Sequence, residues 1–173
     1  MTAFYVTHGT ADYLAKYYEA HRRPGLYYLT SPHETMLLDN TGSKKTPFAG
    51  GTTYDVIEQT GALTLSNGLD AYLFSVSTED ALFLTDIIHR LATELPQGVT
   101  YLAFGKRHNQ APYSLLIGWK TSQDRLAFTL TDAYAKLEKF VYTAPVGQLD
   151  YGHITNYLIH DPADEQQGTE RPI

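Results

Sequence analysis

Residues 69–76 read "LDAYLFSV" and run directly into "STEDALFLTDIIHRLATEL" at 77–95. In the first segment Asp70, Tyr72, Phe74 and Val76 fall on one side of an extended chain, and Leu69, Ala71, Leu73 and Ser75 fall on the other, so it predicts a strand. The second opens with Ser77 and Asp80 at capping-box spacing, with Asp in place of the usual Glu. Ala81, Leu84, Ile87, Ile88, Leu91 and Leu95 then recur at helical spacing as a buried stripe, and "PQG" at 96–98 ends it. Two further strands are predicted, "VTYLAFG" (99–105) and "YSLLIGW" (113–119), joined by the polar turn "KRHNQAP" (106–112).

A helix beginning at Ser122 places Leu126, Leu130, Tyr134, Leu137 and Val141 on its main face, with Phe128, Ala135 and Tyr142 nearly opposite. Apolar residues on both sides lead to the expectation that the second face closes a cavity or meets another subunit. A last strand is "HITNYLI" (153–159). The order from residue 69 is therefore β-α-β-β-α-β, the split βαβ arrangement of a ferredoxin-like sandwich. Both helices lie on one side of such a sheet, so the bare side must be covered by a second copy or by the rest of the chain.

The rest of the chain offers a cover. "FYVTH" (4–8) predicts a strand, Leu14, Tyr17, Tyr18 and His21 a helical face that Thr10 caps and Pro24-Gly25 ends, and "LYYLTS" (26–31) with "TMLLDNTG" (35–42) a strand pair. "GGTTYDVIEQTG" (50–61) reads as a short helical or irregular piece. The expectation is a βαββ-like half over residues 1–65, a ferredoxin-like domain over 66–161 and a mobile polar tail over 162–173. "PVGQLDYGH" (145–153) reads as a lid or a plain connector.

Composition narrows the chemistry. The 173 residues suit one domain or two closely packed halves, and the absence of cysteine excludes disulfides, thiolate catalysis, cysteine-bound zinc and iron–sulfur clusters. A net charge of -6 without a basic stripe argues against nucleic acid, since Lys44-Lys45 is too small a patch. Neither a leader-like start nor about 18 consecutive apolar residues is found, which gives the expectation of a soluble, cytoplasmic protein without a membrane partner. The seven histidines lack HExxH or HxH spacing, no GxSxG occurs, and Gly50-Gly51 lacks the context of a phosphate loop; no metal site is expected. Fourteen tyrosines, seven phenylalanines and the single Trp119 serve sheet packing or line a pocket for a small apolar or aromatic ligand.

Four stretches in order, "YVTHGTADYL", "TTYDVIEQTGAL", "FSVSTED" and "LLIGWKTSQDRLAFTLTDAY", resemble the antibiotic biosynthesis monooxygenase (ABM) superfamily. In particular they resemble its two-part members, the HmoB-type haem monooxygenases, related to the IsdG-type haem-degrading enzymes, and the TRAP-type signal-transduction proteins. The likeness runs over nearly the whole chain. It implies an α+β, ferredoxin-like dimeric α+β barrel with the N-terminal half packed on the C-terminal ABM domain, either a monomeric internal pseudo-dimer or a homodimer. In the haem-degrading members it further implies three functional positions. Trp119 matches the Trp. The Asn position falls on Tyr72 or Leu73, and the iron-ligating His position falls on or near Glu138, so neither is retained. The resemblance thus implies an ABM-type monooxygenase that binds a flat apolar substrate, with haem one occupant although its usual ligand is missing. Trp119 is the expected catalytic residue, and Tyr72, Phe74, Tyr101, Phe104, Phe128 and Tyr134 are the expected pocket lining; no cofactor is otherwise named. The alternative it carries is a non-catalytic TRAP-like protein of signalling or stress response.

Overall fold

The computed structural model describes residues 3–41, 50–65, 67–108, 112–142 and 152–163. Eight antiparallel strands close into a barrel. β1 (Ala3–Gly9), α1 (Ala11–Ala20), β2 (Leu26–Thr30), β3 (Thr35–Asp39) and β4 (Thr52–Gly61) come first. They are followed by β5 (Gly68–Phe74), α2 (Thr78–Thr93), β6 (Val99–Arg107), β7 (Tyr113–Trp119), α3 (Ser122–Phe128), α4 (Asp132–Tyr142) and β8 (His153–Ile159). Around the barrel the order is β1-β3-β2-β8-β5-β7-β6-β4.

From β4 to β2 and from β8 to β6, this ring consists of two four-strand sheets with the same internal order. Each half has its last strand beside its first, and its second strand at the far edge. The bare face of the later half is thus covered by the earlier half of the same chain. Two seams join them: seven residue pairs hold β4 to β6, whereas two, Leu29↔Ile159 and Thr30↔Leu158, hold β2 to β8.

An eight-stranded barrel is just wide enough for its inward side chains to fill. Here Phe4, Leu29, Leu38, Leu69, Tyr101 and Leu116 do so. Gly118 belongs to this inward set, and a Cβ there would come within 2.8 Å of the Leu63 side chain and 3.0 Å of the Tyr101 Cβ, so the missing methyl makes room for these two neighbours. Outside, α1 covers the first half with Leu14 and Tyr18, and α2, α3 and α4 cover the second with Leu84, Ile88, Phe128, Leu137 and Val141. No helix among the described residues is long and apolar enough to cross a membrane.

The two strand pairs, the β5 alternation and the caps at Thr10 and Ser77 occur where the sequence places them. Four expectations are corrected. Residues 50–61 contain strand β4, not a helical or irregular piece; a bulge between Val56 and Glu58 interrupts its alternation, which is why period-two reading misses it. Leu95 lies beyond the end of α2 and is exposed. The helix expected from Ser122 is two helices, α3 and α4. Its break sits at Thr129–Thr131, where Thr129 and Thr131 turn their hydroxyls to the Leu126 and Phe128 carbonyls, and Thr131 Oγ1 accepts the Tyr134 N–H. The break resets the helical phase, so Phe128 points inward with Leu137 and Val141 while Leu126, Leu130 and Tyr142 face outward. The two-faced helix that suggested a cavity is therefore two one-faced helices. Lys44-Lys45, most of 145–153 and residues 164–173, to which the lid and tail readings were attached, lie outside the described residues.

Candidate functional site

Strand parity sends Asp70 to the helix-facing side of β5, into a seam walled by β5, β7, β8, α3 and α4. Its carboxylate is almost wholly buried and accepts from three side chains. Trp119 Nε1–H donates at 3.0 Å, Arg125 Nε–H at 2.8 and 2.9 Å to the two oxygens, and Asn156 Nδ2–H at 2.9 Å. A buried carboxylate is tolerated when it is paired and hydrogen-bonded in this way. The same contacts fix the plane of the indole, which leans on Phe128 with ring centres 5.3 Å apart; Phe128 in turn meets the edge of Tyr134 at 5.9 Å.

One turn of the pleat further along, Tyr72 is 1% exposed, and among the described residues its hydroxyl has no hydrogen-bond partner. Burial raises its pKa far above the ordinary value, and the charge of Asp70 raises it further; Tyr134, Arg125 and Glu138 also act on it. At the half-buried rim, Tyr134 is raised by burial and by its hydrogen bond to Glu138. Where the seam opens to solvent there is a cleft of about 350 Å³, lined by Gly68, Trp119, Thr121, Arg125, Asn156 and Leu158 among others.

Trp119, Tyr72, Phe74, Phe104 and Phe128 share one apolar cluster, with Tyr134 packed against it. Tyr101 lies on the opposite side of the sheet, inside the barrel, where burial also raises its pKa and its hydroxyl has no partner among the described residues. The hollow expected between the sheet and the second helix is occupied by these side chains; the open volume lies at its edge. Asp70, Arg125 and Asn156 had no assigned role in the sequence reading. The available signal was Asp70 itself, a carboxylate in register with Tyr72 and Phe74 on an otherwise apolar strand face.

Haem would need a neutral imidazole or a comparable donor for its iron. None of the seven histidines lies in the seam. His21 stacks on Tyr17, His89 meets Glu58, His108 meets Asp55 and His160 meets Thr30, while His8 and His153 line an end of the barrel and His33 sits in the β2–β3 turn. The oxygen donors present do not compensate, since Tyr72 holds its proton and Glu138 is tied to Tyr134. These residues do not fit haem iron. Among the described residues no cluster of three metal-ligating side chains occurs.

No family model matches the chain, and no curated protein matches it in sequence. Solved structures do match. An uncharacterized ferredoxin-fold protein related to antibiotic biosynthesis monooxygenases, from Listeria monocytogenes, superposes with a TM-score of 0.81 at 15% identity, over 92% of this chain and 94% of that one. The heme-degrading enzyme LmHde of Listeria monocytogenes gives 0.76 at 12% identity, over 90% and 98%. A structure described as a major regulator of staphylococcal pathogenesis gives 0.74 at 13% identity, over 93% and 99%. At these identities the likeness establishes the fold alone, an α+β barrel of ferredoxin-like halves.

Proposed function

We propose, from this fold and this seam, that the protein is an ABM-type monooxygenase that uses no bound cofactor and oxidises a flat, apolar, hydroxylated aromatic. The observation that carries the reading is the buried, unpartnered Tyr72 hydroxyl beside the Asp70–Trp119–Arg125 group. An orphaned donor in an apolar seam costs stability unless a ligand oxygen accepts from it. Its raised pKa keeps it protonated, as a donor to an oxyanion must be.

In such a reaction an electron-rich substrate loses a proton and its anion reduces O2; one oxygen stays in the product and the other leaves as water. The chain's part is to hold the ring, exclude water and stabilise the anion, with orientation contributing most of the rate. Trp119 and Phe128 wall the ring, Tyr72 donates to the anion, Asp70 holds the indole in place, and the half-buried Glu138 carboxylate takes the proton. The substrate enters through the cleft beside Arg125 as α3 and α4 lift at their Thr129–Thr131 break.

The test uses anthrone, a three-ring ketone whose enol is a phenol, with oxygen uptake followed by electrode and ¹⁸O2 incorporation by mass spectrometry. Turnover with one labelled oxygen in the product is expected. Tyr72→Phe should lower kcat by roughly a hundredfold, as loss of one oxyanion donor does elsewhere. Trp119→Phe should weaken binding of the substrate more than it lowers Tm. Addition of micromolar haem should produce no Soret shift. The reading fails if no planar hydroxyaromatic binds, or if Trp119→Phe lowers Tm and leaves affinity alone.

A second reading, a non-catalytic TRAP-like interaction protein, is favoured by one observation, the close packing of Phe74, Phe104 and Phe128, each at most 4% exposed, in the seam itself. It predicts no oxygen uptake with any aromatic and unaltered Tm on adding one.

A further inference from the structure

His8 and His153 lead to a second cavity, on the other side of the sheet. The side chains that fill the barrel stop short of one end, leaving about 100 Å³. Its deep wall is apolar, formed by Val6, Met36, Tyr54, Ala71 and Leu116. Its rim is polar, with the imidazoles of His8 and His153 and the hydroxyls of Ser114 and Thr155. These groups come from six strands and both halves of the chain, β1, β3, β4, β5, β7 and β8, which meet only because the barrel closes.

The charge at this end is asymmetric. Glu34 is the acid there, and its carboxylate accepts the Tyr157 hydroxyl, whose oxygen lies 3.4 Å from His8 Nε2. Arg107 stands across from Tyr54 in register, close enough for its charge to act on the Tyr54 phenol, and among the described residues it makes no ion pair. The Glu34 carboxylate is therefore occupied and Thr155 bonds to Tyr157, whereas the guanidinium, the imidazoles and the Ser114 hydroxyl have capacity left for an acceptor. A ligand that matches has a short alkyl body for the wall and two acceptor oxygens for the rim. Since a water takes about 30 Å³, the space admits roughly three to five carbons.

We propose that this open end of the barrel is a binding site for a short-chain aliphatic carboxylate. The site lies on the opposite side of the sheet from Trp119, although Tyr72 contributes to the lining of both, and the inference does not depend on the oxidative reading. A primary ammonium of the same length would find Glu34 already engaged, and an alcohol would leave the guanidinium without a countercharge.

The experiment is an NMR titration of the full chain with sodium butyrate, following the histidine ring and Trp119 indole signals, with butan-1-ol and butylammonium as comparisons. Butyrate is expected to shift the His8 and His153 signals saturably, at least tenfold more tightly than either comparison, with Trp119 unmoved. His8→Gln should weaken binding at least tenfold, and Ala71→Leu, which fills the wall, should abolish it. Should one variant fail to fold, the other decides. Absence of saturation at tens of millimolar butyrate, equal binding of the alcohol or the ammonium, or unchanged affinity in the folded variants would overturn the assignment.

Discussion

Asp70 illustrates how one side chain can organise a site whose members are distant in sequence. It joins Trp119, Arg125 and Asn156, which lie 49, 55 and 86 positions further along the chain. Replacing it with Asn keeps the size but removes the charge facing a part-buried guanidinium, and should cost about 1–3 kcal/mol in urea denaturation. Arg125→Gln made alongside should recover part of that loss, because the two sites are coupled. The buried phenols make a separate prediction. Tyr72, Tyr101 and Tyr157 are all raised above the ordinary value of 10.0, by burial first in each case. Raised groups keep their protons folded and lose them unfolded, so stability should fall as pH rises above 10, and tyrosinate absorbance should show these three ionising only with unfolding. His8 has the opposite sense: burial lowers it from 6.5, Glu34 opposes and His153 adds to the lowering. Its contribution is complete above pH 6.5 and declines as pH falls below, visible as a drop in Tm that His8→Gln reduces. Trp119 was legible in the sequence because it is unique. What it binds was not, since no local pattern reports a partner half a chain away.

At the level of elements, the break between α3 and α4 decides which side chains count. Leu126→Gln and Leu130→Gln should each change stability by less than about 0.5 kcal/mol, whereas Leu137→Ala should cost about 2–5 kcal/mol. Thr131→Ala, which removes the hydroxyl that caps α4, should cost about 1 kcal/mol. A continuous helix from Ser122 would bury all three leucines on one face and make their replacements comparably costly. Periodicity read the strands β5, β6, β7 and β8 because each keeps apolar residues at alternate positions over most of its length, even with Asp70 in β5 and a register shift at the start of β6. It failed at "TLTD" and at β4 for a shared reason: a capping hydroxyl and a bulge each shift the count by a fraction of a repeat, which a fixed period cannot follow. The aromatic residues were found as a set but not sorted by side. Tyr101 lies inside the barrel and Tyr72 outside it, a difference that depends on strand register.

For the whole molecule, we propose that the division expected near residue 66 marks a change of half rather than a separable unit. A fragment spanning 66–161 would expose Leu69, Tyr101, Leu116 and Tyr157, which the first half now covers. It is expected to self-associate or to lose fixed side-chain signals, as sedimentation and NMR dispersion would show; a monomeric fragment with the same melting transition as the full chain would contradict this. The two joins between the halves are also unequal. Where β2 meets β8, two residue pairs, bonds from the His160 N–H to the Tyr28 carbonyl and between its ring and the Thr30 hydroxyl, and the Arg22–Asp161 ion pair do the work that seven pairs do on the far side. The cylinder accordingly has a hinge side and a latch side. Breathing will start at the latch, so the amide of His160, which donates to the Tyr28 carbonyl across it, should exchange with deuterium well before those joining β4 to β6, and that slit is the shortest way for solvent to reach the interior without unfolding the protein.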